Sequence, residues 1–267
     1  MSDRFLGKTV LVTGGGTGIG AAVARHMAKE GAHVVLMGRR IEPLREIAES
    51  CGATIVAGDA AEAGDVKKAL ALIQDKFGRL DCLVANAGGH GVGPTMATTD
   101  DAWKFATRLN LDTAFVCARE SLPALLQSRG NIVIVSSIAG LFAGPDAVGY
   151  VTMKHACIGL AKSLARDFGR QGVRTNVICP GWVATAMADE QMEYLVERYH
   201  LGSIAEAYAL VTRDVPAGRP ATAEEVANVI CFAASPEAVM MNGAIITVDG
   251  GASVVDLPTT AFYNPPV

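Results

Sequence analysis

Thr13-Gly-Gly-Gly-Thr-Gly-Ile-Gly20 joins a short β-branched run, Thr9–Thr13, to an amphipathic stretch near residues 19–30. Its spaced glycines allow a tight turn and let the backbone approach a pyrophosphate closely. The N-terminus of the following helix adds free N–H groups and the positive end of the helix dipole, which bind anions. We therefore predict a dinucleotide-binding turn; the alternative is a flexible glycine-rich turn without a ligand. The predicted contacts are Gly14, Thr17, Gly18, Ile19 and Gly20.

The rest of the chain repeats this alternation of short apolar runs and longer amphipathic stretches. Most of the runs are continuously apolar, which is typical of a parallel sheet buried on both faces. Strands that alternate with helices of this length indicate right-handed βαβ units. The predicted strands are Thr9–Thr13, His33–Met37, Thr54–Ala57, Cys82–Ala85, Asn131–Ser136, Arg174–Cys179 and Ala244–Val248. The predicted helices lie near residues 19–30, 42–50, 64–77, 100–127, 149–170 and 222–235.

These elements predict one doubly wound, three-layer α/β/α domain over residues 1–256, with a mostly parallel sheet of seven strands. Residues 186–215 interrupt the rhythm with a helical, Met- and Tyr-containing segment where a strand would be due. Residues 257–267 contain three prolines and are predicted to form an irregular C-terminal extension.

The composition is apolar for a chain in which we expect no membrane span. Of 267 residues, 50% are hydrophobic, and the mean hydropathy is +0.30. The uncharged stretch Gly130–Pro145 has only 16 residues and is interrupted by serines and glycines, so it is too short and polar to cross a bilayer. The first residues lack the apolar core of a secretion signal. The excess of apolar residues instead indicates a sheet covered on both faces or buried subunit contacts.

Charge and cysteine usage exclude several function classes. The 23 basic and 27 acidic residues include no basic run longer than two, which disfavours nucleic acid as a partner. The six cysteines show no paired spacing and are typical of core thiols in the reducing cytoplasm, not of a disulfide framework or zinc site. The histidines are dispersed and His-Glu-x-x-His is absent, so we expect no catalytic metal.

The second predicted strand ends in Leu36-Met37-Gly38-Arg39-Arg40. In dinucleotide-binding units an acid near this point commonly holds the adenosine ribose, whereas an Arg accommodates a 2′-phosphate. Two guanidiniums and no carboxylate favour NADP(H) over NAD(H). The alternative is that these arginines begin a solvated helix and pair with Glu42 or Glu46. Asp59, just past the third strand, is a predicted adenine contact or a cap of the next helix.

A candidate reaction centre follows the fifth predicted strand. Tyr150-Val-Thr-Met-Lys154 places a phenol and an ammonium four residues apart, on one face of a helix. Ser137 follows Val135-Ser136 at the carboxyl end of the strand, where ligands bind in open α/β sheets. Taken singly, each of these residues has an ordinary structural explanation, such as a half-buried aromatic, a solvated lysine or a strand-end hydroxyl.

Further along the chain come Asn86-Ala-Gly88, Asn110 and Pro180-Gly181. Together with the glycine-rich turn, Ser137 and the Tyr150–Lys154 pair, these motifs resemble the short-chain dehydrogenase/reductase family over essentially the whole length of the chain. In place of the second Asn of many members, Ala85 precedes Asn86. The resemblance implies a Rossmann-like fold and hydride transfer between a nicotinamide and a carbonyl or secondary alcohol. The motifs that carry it are Thr13-Gly-x-x-x-Gly18-x-Gly20, Asn86-Ala-Gly88, Asn110, Ser137, Tyr150-x-x-x-Lys154 and Pro180-Gly181.

The resemblance also implies roles for individual residues. Reduction of a ketone places negative charge on its oxygen, which needs a proton donor and a second hydrogen-bond donor. Tyr150 is the expected acid and Ser137 the second donor, while the Lys154 ammonium favours the phenolate and binds the nicotinamide ribose. Asn110 is expected to hold a water that relays protons to the lysine. The implied cofactor contacts beyond the glycine-rich turn are Arg39, Arg40, Asp59, Ala60, Asn86, Gly88, Tyr150, Lys154, Pro180, Gly181, Val183 and Thr185.

The substrate is expected under a lid formed by residues 186–215. We predict a mid-sized apolar or aromatic ketone. The alternative is a carrier-dependent 3-oxoacyl reductase, whose carrier-bound substrate would favour a basic entrance. Arg198 and Arg213 are the only Arg or Lys residues in this lid, which disfavours that alternative. The predicted pocket residues are His90, Leu141, Phe142, Trp182 and Met187.

Two further expectations concern the whole protein. Apolar residues in stretches 100–127 and 149–170 exceed what one sheet face needs, and similarity to the family suggests a homotetramer built on these helices. The C-terminal extension is expected to lie against a neighbouring subunit or to form a disordered tail.

A non-catalytic dinucleotide sensor is the alternative function from another class of protein. Such proteins typically lose the Tyr or the Lys, and this chain keeps both.

Overall fold

The computed structural model describes residues 3–91 and 93–262. Within them, seven strands form one sheet in the order β3-β2-β1-β4-β5-β6-β7, and every neighbouring pair is parallel. The predicted doubly wound fold is therefore confirmed, with a wholly parallel sheet. The strands are β1 (Thr9–Thr13), β2 (His33–Gly38), β3 (Thr54–Ala57), β4 (Cys82–Ala85), β5 (Asn131–Val135), β6 (Arg174–Pro180) and β7 (Ile245–Val248).

Helices cover both faces of the sheet. Alternate residues of the central strand show why the strands are continuously apolar: Val10 and Val12 enter one core, and Leu11 enters the other. Helices α1, α2 and α9 pack on the first face, and α3, α5 and α6 on the second. The helices are α1 (Gly18–Lys29), α2 (Ile41–Cys51), α3 (Ala63–Phe77), α4 (Asp100–Thr107), α5 (Thr113–Ser128), α6 (Val148–Phe168), α7 (Ala186–Tyr199), α8 (Ile204–Val211) and α9 (Ala223–Ala234).

Local sequence signals explain where several helices begin and end. Gly52 and Gly78 follow α2 and α3 with φ of +71°, the left-handed conformation that glycine adopts without strain. Thr222 and Glu225 form a reciprocal capping box at the start of α9, where each side chain accepts a backbone N–H. These signals place the helix ends within about two residues of the sequence prediction, as expected for boundaries of this kind.

One predicted helix is interrupted. The stretch 100–127 consists of α4 and α5 joined by a π-helical turn, Arg108–Asp112. A π-turn inserts one extra residue into a helix and frees a carbonyl from the regular ladder. This turn carries Asn110, so the interruption lies at a predicted catalytic residue.

Residues 186–215 form α7 and α8, which enclose a small apolar cluster of their own. Met192 and Tyr208 are buried in that cluster, together with Ala188 and Ala207. In the predicted C-terminal extension, Leu257–Phe262 forms a 3-10 helix, and residues 263–267 lie outside the described residues. Among the helices described, none has the length and apolarity that crossing a membrane requires.

Candidate active site

The glycine-rich turn has the geometry that its sequence predicts. Gly14 and Gly18 have φ of +64° and +52°, in the left-handed region that favours glycine. A Cβ atom at Gly20 would collide with the carbonyl oxygen of Gly14, so α1 approaches the turn too closely for any other residue. The Asn86 side-chain amide donates to the carbonyl oxygens of Thr13 and Gly14 at 3.1 and 3.2 Å. Asn86 therefore supports the turn from the end of β4.

This turn forms one wall of a cleft of about 470 Å³ at the carboxyl ends of the strands. The other walls come from the ends of β2 and β3, the loop after β4 and the start of α7. The predicted site residues that line it are Gly14, Thr17, Arg39, Arg40, Asp59, Ala60, Gly88, His90 and Met187. The predicted cofactor contacts outside this lining are Gly18, Ile19, Gly20, Asn86, Tyr150, Lys154, Pro180, Gly181, Val183 and Thr185.

Arg39 and Arg40 are exposed at the rim of the cleft. Helix α2 begins at Ile41, and Glu42 on its first turn contacts Arg45 at 4.0 Å. Within the described part of the chain, neither Arg39 nor Arg40 forms an ion pair, so the alternative pairing with the carboxylates of α2 is not found. The two guanidiniums are thus available to an anionic ligand in the cleft.

Asp59 lines the cleft with both carboxylate oxygens already in hydrogen bonds. Its Oδ1 accepts from the Ala61 N–H at 2.9 Å, and its Oδ2 accepts from the Arg108 guanidinium at 2.8 Å. Arg108 also contacts Glu62 at 2.8 Å, and hydrogen bonds to Glu62 and Asp59 raise the pKa of the Arg108 guanidinium. The N-cap of α3 is Glu62, so Asp59 is not the helix cap considered from the sequence.

The two serines after β5 are used differently. Ser136 is buried and donates to the Lys154 carbonyl oxygen at 2.8 Å. Ser137 is half-buried, and its Oγ accepts from the Ala139 N–H at 3.1 Å. Among the described residues no acceptor takes the Ser137 hydroxyl hydrogen, so Ser137 can donate it to a substrate oxygen.

Tyr150 and Lys154 lie on the first two turns of α6. Lys154 is only 5% exposed, which is inconsistent with a solvated surface lysine. Its Nζ donates to the Val135 carbonyl oxygen at 3.1 Å and lies 5.6 Å from the centre of the half-buried Tyr150 ring. A Cβ at Gly88 would lie 3.5 Å from the same Nζ, so the loop after β4 passes close to the ammonium. The arrangement places a fixed positive charge beside the phenol.

Asn110 is buried in the π-turn at 2% exposure. Its Oδ1 accepts from the Gly89 N–H at 3.1 Å, and its Nδ2 donates to the Ala106 carbonyl oxygen at 3.3 Å. Its main-chain carbonyl accepts from the Cys157 thiol at 3.2 Å. The side chain therefore holds the loop after β4.

The segment after β6 connects the sheet to the lid. Pro180 ends β6, and the Gly181 N–H donates to the Val248 carbonyl oxygen at 3.1 Å. Buried Val183 forms a parallel bridge to residue 221. Thr185 caps α7 by accepting from the N–H of residue 188, and its methyl carbon lies 3.2 Å from where a Gly18 Cβ would stand. The start of α7 thus touches the glycine-rich turn.

The five predicted substrate residues lie in different surroundings and do not line one common pocket. Phe142 and Met187 are 51% and 47% exposed, and Leu141 is half-buried against the second core. Trp182 packs on the cluster enclosed by α7 and α8. His90 lines the cleft and contacts α7 through both ring nitrogens.

Comparisons with known proteins agree with this geometry. A family model described as enoyl-(acyl carrier protein) reductase matches residues 14–253. Protein MoaE of Klebsiella aerogenes is 46% identical over 96% of this chain and 100% of its own length, and meso-2,3-butanediol dehydrogenase of Serratia marcescens is 36% identical over 95% and 97%. The crystal structure of L-sorbose reductase from Gluconobacter frateurii, complexed with NADPH and L-sorbose, covers 94% of this chain and 98% of its own with a TM-score of 0.87 and 30% identity.

The chain belongs to the short-chain dehydrogenase/reductase family. It is an oxidoreductase that acts on alcohol or ketone substrates with a nicotinamide dinucleotide.

The residues of this short-chain dehydrogenase/reductase fit a dinucleotide on structural grounds. The glycine-rich turn leaves a cradle that a Cβ at Gly16 would narrow, since it would lie 3.1 Å from Pro43. The turn leads directly into the N-terminus of α1, where unpaired N–H groups bind phosphates. Gly88 lines the same cleft, and a Cβ there would lie 3.5 Å from the Lys154 Nζ, so the ammonium lies close behind this part of the lining.

Sequence reasoning missed several residues that build this short-chain dehydrogenase/reductase site. Thr13 accepts the N–H groups of Asn86 and Ala87 at 3.1 and 3.0 Å and so joins β1 to the loop after β4. Arg108 ties the π-turn to Asp59. These contacts join residues that lie 49 to 74 positions apart, and no local pattern in one sequence indicates such pairs. Gln191 is a similar case, because it contacts His90 across 101 positions.

Two buried thiols lie close to the reaction centre. Burial raises the pKa of Cys179 to about 11, against the opposing effect of hydrogen bonds with Ser137 and Ser136. Burial also raises the pKa of the Cys157 thiol. Because the thiolate is the reactive form, the raised pKa values disfavour both cysteines as nucleophiles.

Proposed function

We propose that this short-chain dehydrogenase/reductase reduces a mid-sized apolar or aromatic ketone with NADPH, and oxidises the corresponding secondary alcohol in reverse, with Tyr150 as the acid/base. The observation that carries the proposal is the buried Lys154 ammonium, 5.6 Å from the Tyr150 ring and fixed by the Val135 carbonyl. An intact pair of this kind favours an enzyme over a non-catalytic dinucleotide sensor.

In the reductive direction, the bound nicotinamide supplies a hydride to the carbonyl carbon. Ser137 donates a hydrogen bond to the carbonyl oxygen, and Tyr150 transfers its phenolic proton to that oxygen as charge develops there. The Lys154 ammonium stabilises the resulting phenolate because the two charges are opposite and close. A water held by the Asn110 carbonyl returns a proton towards the lysine and tyrosine. Each group acts from a position that packing already fixes, which limits reorganisation during the reaction.

The preference for NADP(H) rests on Arg39 and Arg40. Both line the cleft, neither pairs with a carboxylate in the described chain, and the end of β2 offers no acid to hold a ribose 2′-hydroxyl. A planar guanidinium suits a phosphate because it donates several parallel hydrogen bonds. The NADPH in the L-sorbose reductase structure supports the same cofactor.

The proposed substrate class rests on exposed apolar side chains, one of which lines the cleft. Met187 lines the cleft and is 47% exposed, and Phe142 is 51% exposed in the segment after β5. Residues 186–215 form the proposed lid of a domain that spans residues 1–256. One relative is named for butanediol and the reductase structure holds L-sorbose, which indicates small hydroxylated substrates in those two proteins. The description of the matching family model keeps an acyl-thioester substrate as the second candidate.

We further propose that the protein is cytoplasmic and forms a homotetramer. All six cysteines are free thiols and five of them are buried, which suits a reducing compartment. The large apolar side chains Trp103, Phe105 and Phe115 are exposed on α4 and α5, where a subunit contact would cover them.

The catalytic assignment is tested by Tyr150→Phe, with NADPH oxidation measured against free aromatic ketones, aliphatic diketones and 3-oxoacyl thioesters. Loss of the proton donor should lower turnover at least about a hundredfold while the dissociation constant of NADPH stays within about twofold. Tyr199→Phe is the matched control, because Tyr199 is exposed at the end of α7. Turnover of Tyr150→Phe close to that of the wild type would refute the assignment. A clear preference for thioesters would replace the ketone hypothesis by the second candidate.

The cofactor assignment is tested by replacing both arginines, in Arg39→Ala/Arg40→Ala. Loss of two charge-assisted contacts to the 2′-phosphate should raise the KM for NADPH about a hundredfold or more. The KM for NADH should change little, because NADH has no phosphate at this position. Arg45→Ala, an exposed arginine on α2 that contacts Glu42, is the matched control. Equal effects on both cofactors would contradict the NADP(H) preference.

A further inference from the structure

His90 lies in the loop after β4, and both nitrogens of its ring are bonded to the first turns of α7. Nε2 lies 3.1 Å from the Met187 carbonyl oxygen, and Nδ1 lies 2.8 Å from the Gln191 side-chain nitrogen. A carbonyl oxygen can only accept, so Nε2 must carry the hydrogen and donate. In the neutral ring Nδ1 then accepts from the Gln191 amide. The two contacts fit one tautomer and leave no ring nitrogen for a substrate.

These contacts cross the cleft. His90 and Met187 both line it, as do Gly88, Gly89 and Glu190. Thr185, the N-cap of α7, touches the glycine-rich turn at Gly18. The start of α7 therefore contacts both the loop after β4, through His90, and the glycine-rich turn, through Thr185.

The rest of α7 has no comparable attachment to the loop after β4 among the described residues. Its apolar side packs on α8, where Met192 is fully buried and Tyr208 donates to Asp189 at 2.8 Å. Helices α7 and α8 thus pack together as one unit. The two hydrogen bonds of His90 join this unit to the loop after β4.

We propose that His90 is a positioning residue that holds α7 closed over the bound dinucleotide and, through Gln191, sets the rate at which the cofactor leaves. The inference rests on the proposed function in one respect, namely that the cofactor occupies this cleft. It replaces the expectation from the sequence that His90 contacts the substrate, because neither ring nitrogen is available to one.

The test measures NADPH dissociation by stopped-flow fluorescence, together with the KM for the best ketone, in His90→Ala, His90→Gln and Gln191→Leu. His90→Ala removes both hydrogen bonds and should raise the dissociation rate about tenfold, as expected for the loss of one to two net hydrogen bonds. Gln191→Leu removes one contact and should give a smaller increase. The Gln side chain at position 90 can still donate to the Met187 carbonyl, so His90→Gln should recover most of the wild-type rate.

His33→Ala is the matched control, because His33 begins β2 at the amino end of the sheet, away from the cleft, where it stacks on Phe77. An unchanged dissociation rate in His90→Ala, with a raised KM for the ketone, would overturn the inference and restore a substrate contact, while the proposed function would stand. If the wild-type protein does not bind NADPH, the proposed function itself fails. Should His90→Ala not fold, Gln191→Leu and His90→Gln still decide the outcome, since a merely structural role would not order the rates of these two variants.

Discussion

Ser136 and Ser137 are chemically identical neighbours that the fold separates into a structural and a functional hydroxyl. Ser136 donates into the protein, to the Lys154 carbonyl, whereas the Ser137 hydrogen has no acceptor in the described chain. Removal of one donor to a developing oxyanion costs about 10²–10³ in turnover. Ser137→Ala should therefore lose about a hundredfold in kcat with little change in the free energy of unfolding.

The matched variant is Ser136→Ala, which removes a buried hydrogen bond at 2.8 Å. It should lower the free energy of unfolding by about 1–2 kcal/mol, measured by urea denaturation, because the Lys154 carbonyl loses its partner. Its kcat should fall much less than that of Ser137→Ala. The reverse order of the two kcat values would show that the hydroxyls have been assigned the wrong way round.

Among the elements, those with a strong local signal could be predicted from the sequence. Continuous apolar runs predict the strands, and glycines such as Gly52 predict helix ends, because each signal acts within a few residues. The π-turn at Arg108–Asp112 was not predicted, because a π-turn has no marker residue comparable to the glycine at a helix end. The four predicted catalytic residues rest on motif spacing and on the family resemblance and stay predictions, whereas the contacts of Arg108 and His90 depend on the three-dimensional pairing of distant segments.

The lid shows the same limit of local patterns. The apolar residues of 186–215 suggest a surface that faces substrate, yet Met192 and Tyr208 are turned inward between α7 and α8. Burial and the hydrogen bond to Asp189 raise the pKa of Tyr208 to about 12, so this tyrosine remains a neutral structural donor at physiological pH. Two short helices that project from the sheet must supply their own core. Apolar side chains in such a segment therefore serve packing first and substrate second.

At the scale of the whole molecule, the mean hydropathy of +0.30 fits a sheet whose two faces are both covered by apolar cores. Exposed apolar side chains on α4 and α5 also contribute to it. Of the apolar residues predicted to make subunit contacts, Leu164 is instead 8% exposed and belongs to the second core, whereas Phe115 is 43% exposed. The surface that a neighbouring subunit would cover is therefore narrower than the sequence pattern suggests, and centres on Trp103, Phe105 and Phe115.

The proposed tetramer is tested by Phe105→Glu/Phe115→Glu, with the mass in solution measured by light scattering after size-exclusion chromatography. Two carboxylates introduced into an apolar contact should dissociate the assembly into smaller species, since burial of charge in apolar surroundings costs several kcal/mol. Activity should fall as well, because α5 follows directly on the π-turn that carries Asn110. Leu6→Glu is the control, as Leu6 is 69% exposed and lies outside these helices. A double variant that keeps the mass of four chains, or a wild-type protein with the mass of one, would rule out a tetramer built on these two helices.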